Sequence, residues 1–266
     1  MKTAVLIFGL GLAALLLPAQ MAVAEAPDVA EIVAKANHTV FYQGPDQKAR
    51  VDMRIIDKQG RIRKRQLTLL RRNFGDADGE QKYYVYFSKP ADVKKLVFMA
   101  WKNIGRDDDR WLYLPALDLV KRISASDGRT SFVGSNFFYE DVSGRETEED
   151  THTLLSEDGD FFVVESKPKR AGDVEFSSYK NWVDKSTYLP MKTEYRDKAG
   201  NLHRVYTAVT VEVIGGFPTV VDAIMENKIT GGRTELHYSD VVYAVGLPKN
   251  IYTERFLRKL PRKYLK

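Results

Sequence analysis

The sequence predicts a mainly β (α+β) fold: one large antiparallel sheet, strongly curved, with an N-terminal helix packed against it. Three observations carry this. Thirteen runs are rich in Val, Ile, Thr, Tyr and Phe, and the first of them alternate apolar and polar residues with a period of two. Glycine-based turns separate the runs at short intervals, which makes sequential neighbours pair antiparallel. Few segments have a helical period, so a parallel sheet with crossover helices is not expected.

Residues 1–24 read as a signal peptide. Lys2 supplies a positive start, residues 4–17 carry no charge, Pro18 ends the run, and Ala22-Val23-Ala24 is a small-residue cleavage pattern before Glu25. A membrane span needs about 20 apolar residues, and no stop-transfer pattern follows. The expectation is a soluble protein exported to a bacterial periplasm, with residues 25–266 forming a single domain.

The elements follow in order. Val29, Ile32, Val33 and Ala36 fall at i, i+3, i+4 and i+7, one apolar helical stripe, and Pro27-Asp28 in front suits its start. The period then changes to two: Val51, Met53 and Ile55 alternate with Arg50, Asp52 and Arg54. Asp57-Lys58-Gln59-Gly60 has turn chemistry and residues 62–70 run back, which makes a hairpin. Further strands are expected at 82–88, 96–102, 110–114, 119–123, 151–156, 161–167, 175–183, 190–196, 202–214, 220–229 and 233–242. Turns at Asp78-Gly79, Gly105 to Asp109, Asp158-Gly159, Ala171-Gly172, Gly200-Asn201, Gly215-Gly216 and Gly231-Gly232 punctuate them. There is no tandem repeat, no low-complexity stretch and no linker.

Composition excludes several chemistries. With no Cys there is no disulfide scaffold, no thiolate nucleophile, no Cys-based metal site and no lipid anchor on an N-terminal Cys. Removing Lys2, the one charge among the first 24 residues, leaves 40 basic against 36 acidic side chains, too even a balance for a nucleic-acid footprint. His38, His152, His203 and His237 are widely spaced, and no zinc-protease motif, nucleophile elbow or phosphate loop is present. Asp107-Asp108-Asp109 and the group Glu146, Glu148, Glu149, Asp150 lack calcium-loop spacing and read as solvated turns. The chain is therefore not expected to be an enzyme, and no catalytic residue, metal or cofactor is assigned. Basic groups at Arg61, Arg63, Lys64, Arg65, Arg71 and Arg72, and in the tail from Arg255 to Lys263, have three readings. They are a solvated sheet edge and terminus, a guard against edge-to-edge pairing, or a contact with anionic lipid or an acidic protein.

Residues 124–142, SASDGRTSFVGSNFFYEDV, begin with loop composition and then carry Phe132, Phe137, Phe138 and Tyr139. Four aromatics in eight residues must dock, because each gains roughly 1.5–3 kcal/mol by leaving water. The segment is either a loop folded onto the core or a lid over the concave face of the sheet. Aromatic and apolar side chains on many strands, Tyr84, Tyr86, Phe98, Met99, Trp101, Trp111, Tyr113, Phe162, Tyr179 and Trp182, would be plain core in a closed sandwich and a cavity lining in a half-open sheet. A cavity for acyl chains needs area and no nucleophile.

The run Arg110-Trp111-Leu112-Tyr113-Leu114-Pro115-Ala116-Leu117, then Val120-Lys121-Arg122-Ile123, then Ser131 to Asp141 resembles the LolA-like outer-membrane lipoprotein-sorting protein family. Asp118 stands where members of that family usually carry another basic residue. The resemblance implies a LolA/LolB-like unclosed antiparallel β-barrel of about eleven strands, with helices and loops covering its concave face. It also implies periplasmic transport of a hydrophobic ligand, lipid or lipoprotein acyl chains, and an RND-type inner-membrane exporter as a partner. The expected ligand-binding cavity and lid are Tyr84, Tyr86, Phe98, Met99, Trp101, Trp111, Tyr113, Phe132, Phe137, Phe138, Phe162 and Trp182. An accessory or sensor role at an envelope protein, without cargo, is the alternative.

Overall fold

The computed structural model describes residues 27–75 and 78–265, so the signal-peptide reading of residues 1–24 lies outside the described residues. Helix α1 (Val29–Asn37) opens the chain; the Asp28 side chain accepts the Ala30 N–H at 3.0 Å and so caps it. A π-helical turn (His38–Tyr42) follows. Thirteen strands come next: β1 (Asp46–Ile56), β2 (Ile62–Asn73), β3 (Gln81–Lys89), β4 (Val97–Lys102), β5 (Asp109–Leu114), β6 (Leu119–Ile123), β7 (Asp150–Asp158), β8 (Phe161–Pro168), β9 (Phe176–Asp184), β10 (Pro190–Asp197), β11 (Leu202–Ile214), β12 (Phe217–Asn227) and β13 (Arg233–Tyr243). Short helices α2 (Tyr139–Ser143) and α3 (Arg255–Arg258) complete the elements used below.

All thirteen expected runs are strands, two more than the count of about eleven implied by the family resemblance. They form one antiparallel sheet in the order β6-β5-β4-β3-β2-β1-β13-β12-β11-β10-β9-β8-β7. Each hairpin follows from its turn. In the first, Asp57 Oδ1 accepts from the N–H groups of Gln59 and Arg61, which sets the register Ile56↔Ile62. One pairing is not sequential: β1 meets β13, which joins the two halves of the chain. The free edges are β6 and β7, consecutive in sequence and not paired with each other, so the sheet stays open. Register shifts in β1–β13, β2–β3 and β11–β12 insert extra residues that bend the strands. The connection between the open edges, residues 124–149, crosses this gap and forms the cover.

Both faces of β2–β5 are buried. On the inner face Val51, Met53, Leu67, Tyr83, Val85, Phe87 and Phe98 pack with Phe132, Phe137 and Tyr139 of the cover. On the outer face Leu70, Tyr84, Val97, Met99 and Trp111 pack beneath the C-terminal segment through Leu247, Ile251, Tyr252 and Leu257. That segment is also bonded down: Tyr84 Oη donates to the Phe256 carbonyl at 2.8 Å and Trp101 Nε1 to the Tyr252 carbonyl at 3.0 Å. At the other end of the sheet, α1 lays Ile32 and Ala36 on Phe162, Val164 and Val183, with Val29 and Val33 beside them. The helical stripe read from the sequence is the packed face.

Candidate functional site: a covered cavity

A cavity of about 380 Å³ lies between the inner face of the sheet and its cover. Its floor is largely apolar: Val51 and Met53 from β1, Leu67 and Leu69 from β2, Ala223 and Met225 from β12, Leu236 from β13. Val33 and Ala36 of α1, Val40 and Phe41 of the π-helical turn, and Phe132 and Phe137 close it from the other side. Strand periodicity creates this wall, because residues two apart share a face.

The cover is a tight loop with a helical end. Phe132 N–H donates to the Phe137 carbonyl at 2.8 Å, and Val133 takes a left-handed φ of 48° to close the turn. The Phe132 ring wedges against Phe87, Phe98 and Tyr139, with centroids 5.8, 5.4 and 5.4 Å away. Polar contacts tie the loop to the sheet: both nitrogens of Asn136 donate to Thr234 Oγ1 at 2.9 and 3.0 Å, and Arg63 donates to the Gly134 carbonyl at 3.2 Å. Asp141 of α2 accepts from Arg204 Nη1 of β11 at 2.7 Å, and that guanidinium lies 3.6 Å from the Phe138 ring centroid. At the end of α2, Gly144 has a φ of 76° and runs beside the Phe41 ring. The segment read from sequence as either a core loop or a lid does both: Phe132 fills the core and Phe137 faces the hollow.

The cavity wall also carries charge, and each cation on it has a partner. Arg71 donates to the Phe41 carbonyl at 2.6 Å, to the Gln43 carbonyl, and to Asn73 Oδ1 at 3.0 Å. Arg145 meets Asp150 at 3.1 Å and Glu149 at 2.5 Å. Asp150, buried, also accepts from Tyr179 Oη at 2.7 Å, and burial together with this carboxylate pushes the Tyr179 phenol well above its usual range. His152 is held between Ser166 Oγ at 2.8 Å and the Thr147 carbonyl at 2.9 Å. Beyond the cavity, His38 and His237 pair with Asp78 and Asp222 at 2.8 and 2.7 Å. Asp108 and Asp109 meet Arg110, Arg106 and Arg122 in ion pairs. Among the described residues no group of three or more His, Asp or Glu side chains is placed to hold a metal.

The structure splits the twelve residues expected at the ligand site. Phe132 and Phe137 line the cavity. Phe98 is on the same face but sealed beneath Phe132, and Phe138 stacks on Arg204 at the rim. Phe162 sits under α1. Tyr84, Tyr86, Met99, Trp101, Trp111 and Tyr113 are on the outer face against the C-terminal segment. Trp182 faces away from the cavity-lining Asn181 and Val183, beneath Lys180 and Lys192. The expectation is therefore corrected for these seven and for Phe98, Phe138 and Phe162, none of which lines the hollow. The strands β2–β5 are covered on both sides, so both alternating sets of residues are apolar and aromatic content does not mark the inner one. The lining residues missed by this reading, among them Met53, Leu67, Tyr195, Tyr206 and Tyr238, are in phase with Leu236 and Tyr83; that phase is visible in the sequence once one member of the face is known.

The basic groups also separate. Arg61 pairs with Asp57 at 2.6 Å, the buried Arg65 with Asp92 at 3.5 Å, and Arg258 of the tail with Asp118 at 2.9 Å. No helix among the described residues is long and apolar enough to cross a membrane.

A family model described as that of an uncharacterized protein matches residues 79–259. Among solved structures, a DUF1329 family protein from Desulfovibrio piger is 27% identical with a TM-score of 0.80, covering 86% of this chain and 97% of that one. A domain from Vibrio parahaemolyticus assigned to outer-membrane lipoprotein sorting is 30% identical with a TM-score of 0.78, covering 85% and 97%. A LolA superfamily protein from Nitrosomonas europaea is 21% identical with a TM-score of 0.67, covering 87% and 100%, and shares the fold. No curated protein matches the chain.

Proposed function

Because the chain belongs to the LolA-like outer-membrane lipoprotein-sorting family, we propose that it is a periplasmic carrier that shields the acyl chains of a lipid or lipoprotein in transit. The observation that carries this reading is the covered apolar cavity of about 380 Å³, within the range of about 300–1,000 Å³ that holds a small-molecule ligand. Each buried methylene is worth about 0.8 kcal/mol, so an acyl chain gains on the order of 10 kcal/mol by leaving water. Such binding uses area, which the inner face supplies. It needs no nucleophile or base, and the arginines and carboxylates on the wall are bonded within the chain. The cover is the segment that would gate entry, because it crosses the open side of the sheet and Phe137 on it lines the cavity.

An RND-type inner-membrane exporter is the partner that the family resemblance implies. A cargo-free accessory role at such an exporter has less support. Arg61 and Arg65 pair with carboxylates and Arg63 binds a cover carbonyl, so the basic strand is largely engaged within the chain.

The test is mass spectrometry of lipid extracted from gently purified protein, with displacement of a fluorescent fatty acid as a second readout. Wild type carries lipid and binds the probe; Phe137→Asp lowers occupancy severalfold. Protein that is lipid-free and does not bind the probe contradicts the carrier reading.

A further inference from the structure

Three tyrosines on the cavity wall differ from their neighbours. Tyr83, Tyr179 and Tyr243 also line the cavity, and their hydroxyls meet Gln81 Oε1, Asp150 Oδ2 and Thr219 Oγ1 at 2.7, 2.7 and 2.9 Å. Among the described residues no hydrogen bond within the protein reaches the hydroxyls of Tyr195, Tyr206 or Tyr238, which line the same cavity. They stand on the inner face of β10, β11 and β13. Tyr195 on β10 is opposite Arg204 on β11, and Tyr206 is two residues further along β11 on the same face. Tyr206 is opposite Met225 on β12, which is in turn opposite Thr234 on β13, the strand that carries Tyr238. The three residues are half-buried and open into the cavity, so each hydroxyl is a donor left free for an acceptor that a ligand brings in.

The surrounding charges say which acceptor. Arg71, Arg145 and Arg204 are the cations on the wall, and each is matched by backbone carbonyls or carboxylates. Glu140 and Asp141 stand on the wall as well. An anionic headgroup carried into the cavity meets Arg145 and Arg204 already paired with carboxylates and Arg71 already bonded to carbonyls, whereas a neutral carbonyl needs only a donor. Burial holds the Tyr238 phenol up at about 12 and pushes those of Tyr195 and Tyr206 higher still, so all three keep their protons at neutral pH.

We propose that Tyr195, Tyr206 and Tyr238 form a donor band that binds the ester or amide carbonyl of an acylated ligand, selecting carbonyl-linked acyl groups over ether-linked or plain alkyl chains. This rests on the carrier reading above and names the class of ligand it takes.

The probes are 1-palmitoylglycerol, an ester, and 1-O-hexadecylglycerol, the ether without the carbonyl, each competing with a fluorescent fatty acid. Wild type binds the ester about tenfold more tightly, the worth of roughly one added hydrogen bond. The combined Tyr195→Phe, Tyr206→Phe and Tyr238→Phe variant binds both equally, with ether affinity unchanged. Equal binding of the two probes by wild type overturns the donor band while leaving the carrier reading intact, as does a combined variant that keeps the preference. Failure of both probes and of the fluorescent fatty acid to bind overturns the carrier reading and the donor band together. If the combined variant does not fold, the wild-type comparison and the three single variants decide.

Discussion

Arg204 on β11 reaches across the inner face to Asp141 of the cover, Nη1 to Oδ2 at 2.7 Å, with the Arg204 side chain 3% exposed. The pair joins the one segment that crosses the open side of the sheet to a strand far from it in sequence. Asp141 also accepts the N–H of Phe138 at 2.7 Å, so the same carboxylate starts α2 and anchors it. Removing one partner of a buried pair leaves the other charge without compensation, which costs far more than the pair contributes.

Asp141→Asn is therefore expected to lower stability by about 3 kcal/mol. Arg204→Met combined with Asp141→Asn is expected to lose clearly less than the two single changes summed. Urea unfolding of the four proteins measures this; additive losses mean that the two residues act independently.

Gly144 is expected to tolerate no side chain. Its φ is 76°, and a Cβ there would stand 2.7 Å from Phe41 Cε2. Gly144→Ala combines left-handed backbone strain with a clash against a ring, and a loss of about 1–3 kcal/mol is expected. Adding Phe41→Ala relieves only the clash, so thermal melts of the double variant should recover part of the loss. A neutral Gly144→Ala contradicts the close packing of the cover on the π-helical turn.

Burial raises the Glu149 carboxyl above its ordinary value of 4.5; Arg145 pulls it back, and Glu140, Asp150 and Glu146 add to the rise. The folded protein thus holds this proton to a higher pH than the unfolded chain does. Stability from this group is greatest at low pH and is lost as pH rises from about 4.5 through the raised value. Glu149→Gln is expected to flatten the stability profile over that window. Urea midpoints from pH 4.5 to 7 test it, and an unchanged or steeper slope is the contrary result.

Tyr252 of the C-terminal segment is fully buried against the outer face, and its hydroxyl has no hydrogen-bond partner among the described residues. Its ring packs edge-on against Phe74, a contact that Phe preserves. Tyr252→Phe is expected to raise stability by about 1 kcal/mol, because it removes a desolvated hydroxyl that gains nothing in return. A loss of similar size in thermal unfolding means that the hydroxyl has a partner.

The strands were legible because their causes are local. Alternation around Val51, Met53 and Ile55, turn chemistry at Asp57 and Gly60, and β-branched or aromatic runs between glycine turns act over a few residues. The same holds for α1, whose apolar stripe and Asp28 cap are contiguous. The cover was half legible: Phe132, Phe137 and Phe138 announced that residues 124–142 dock, and the family resemblance placed them over the concave face.

The site was less legible. Alternation separates Tyr83 from Tyr84 and Phe98 from Met99, but it does not say which set faces inward. That depends on the β1–β13 pairing and on the return of residues 245–265 across the outer face. A C-terminal segment rich in Leu, Ile and Tyr makes the outer face as apolar as the inner one.

From the residues alone came the antiparallel sheet, its turns, the docking segment and the lack of assembled catalytic or metal motifs, because each depends on local period or residue chemistry. Only the tertiary structure decided which face is hollow, that Arg204 holds the cover, and that three tyrosine hydroxyls on the cavity wall are without partners among the described residues. Those facts arise from contacts between residues far apart in sequence, such as Arg204 and Asp141, 63 positions apart, and long-range packing leaves no periodic trace in the chain.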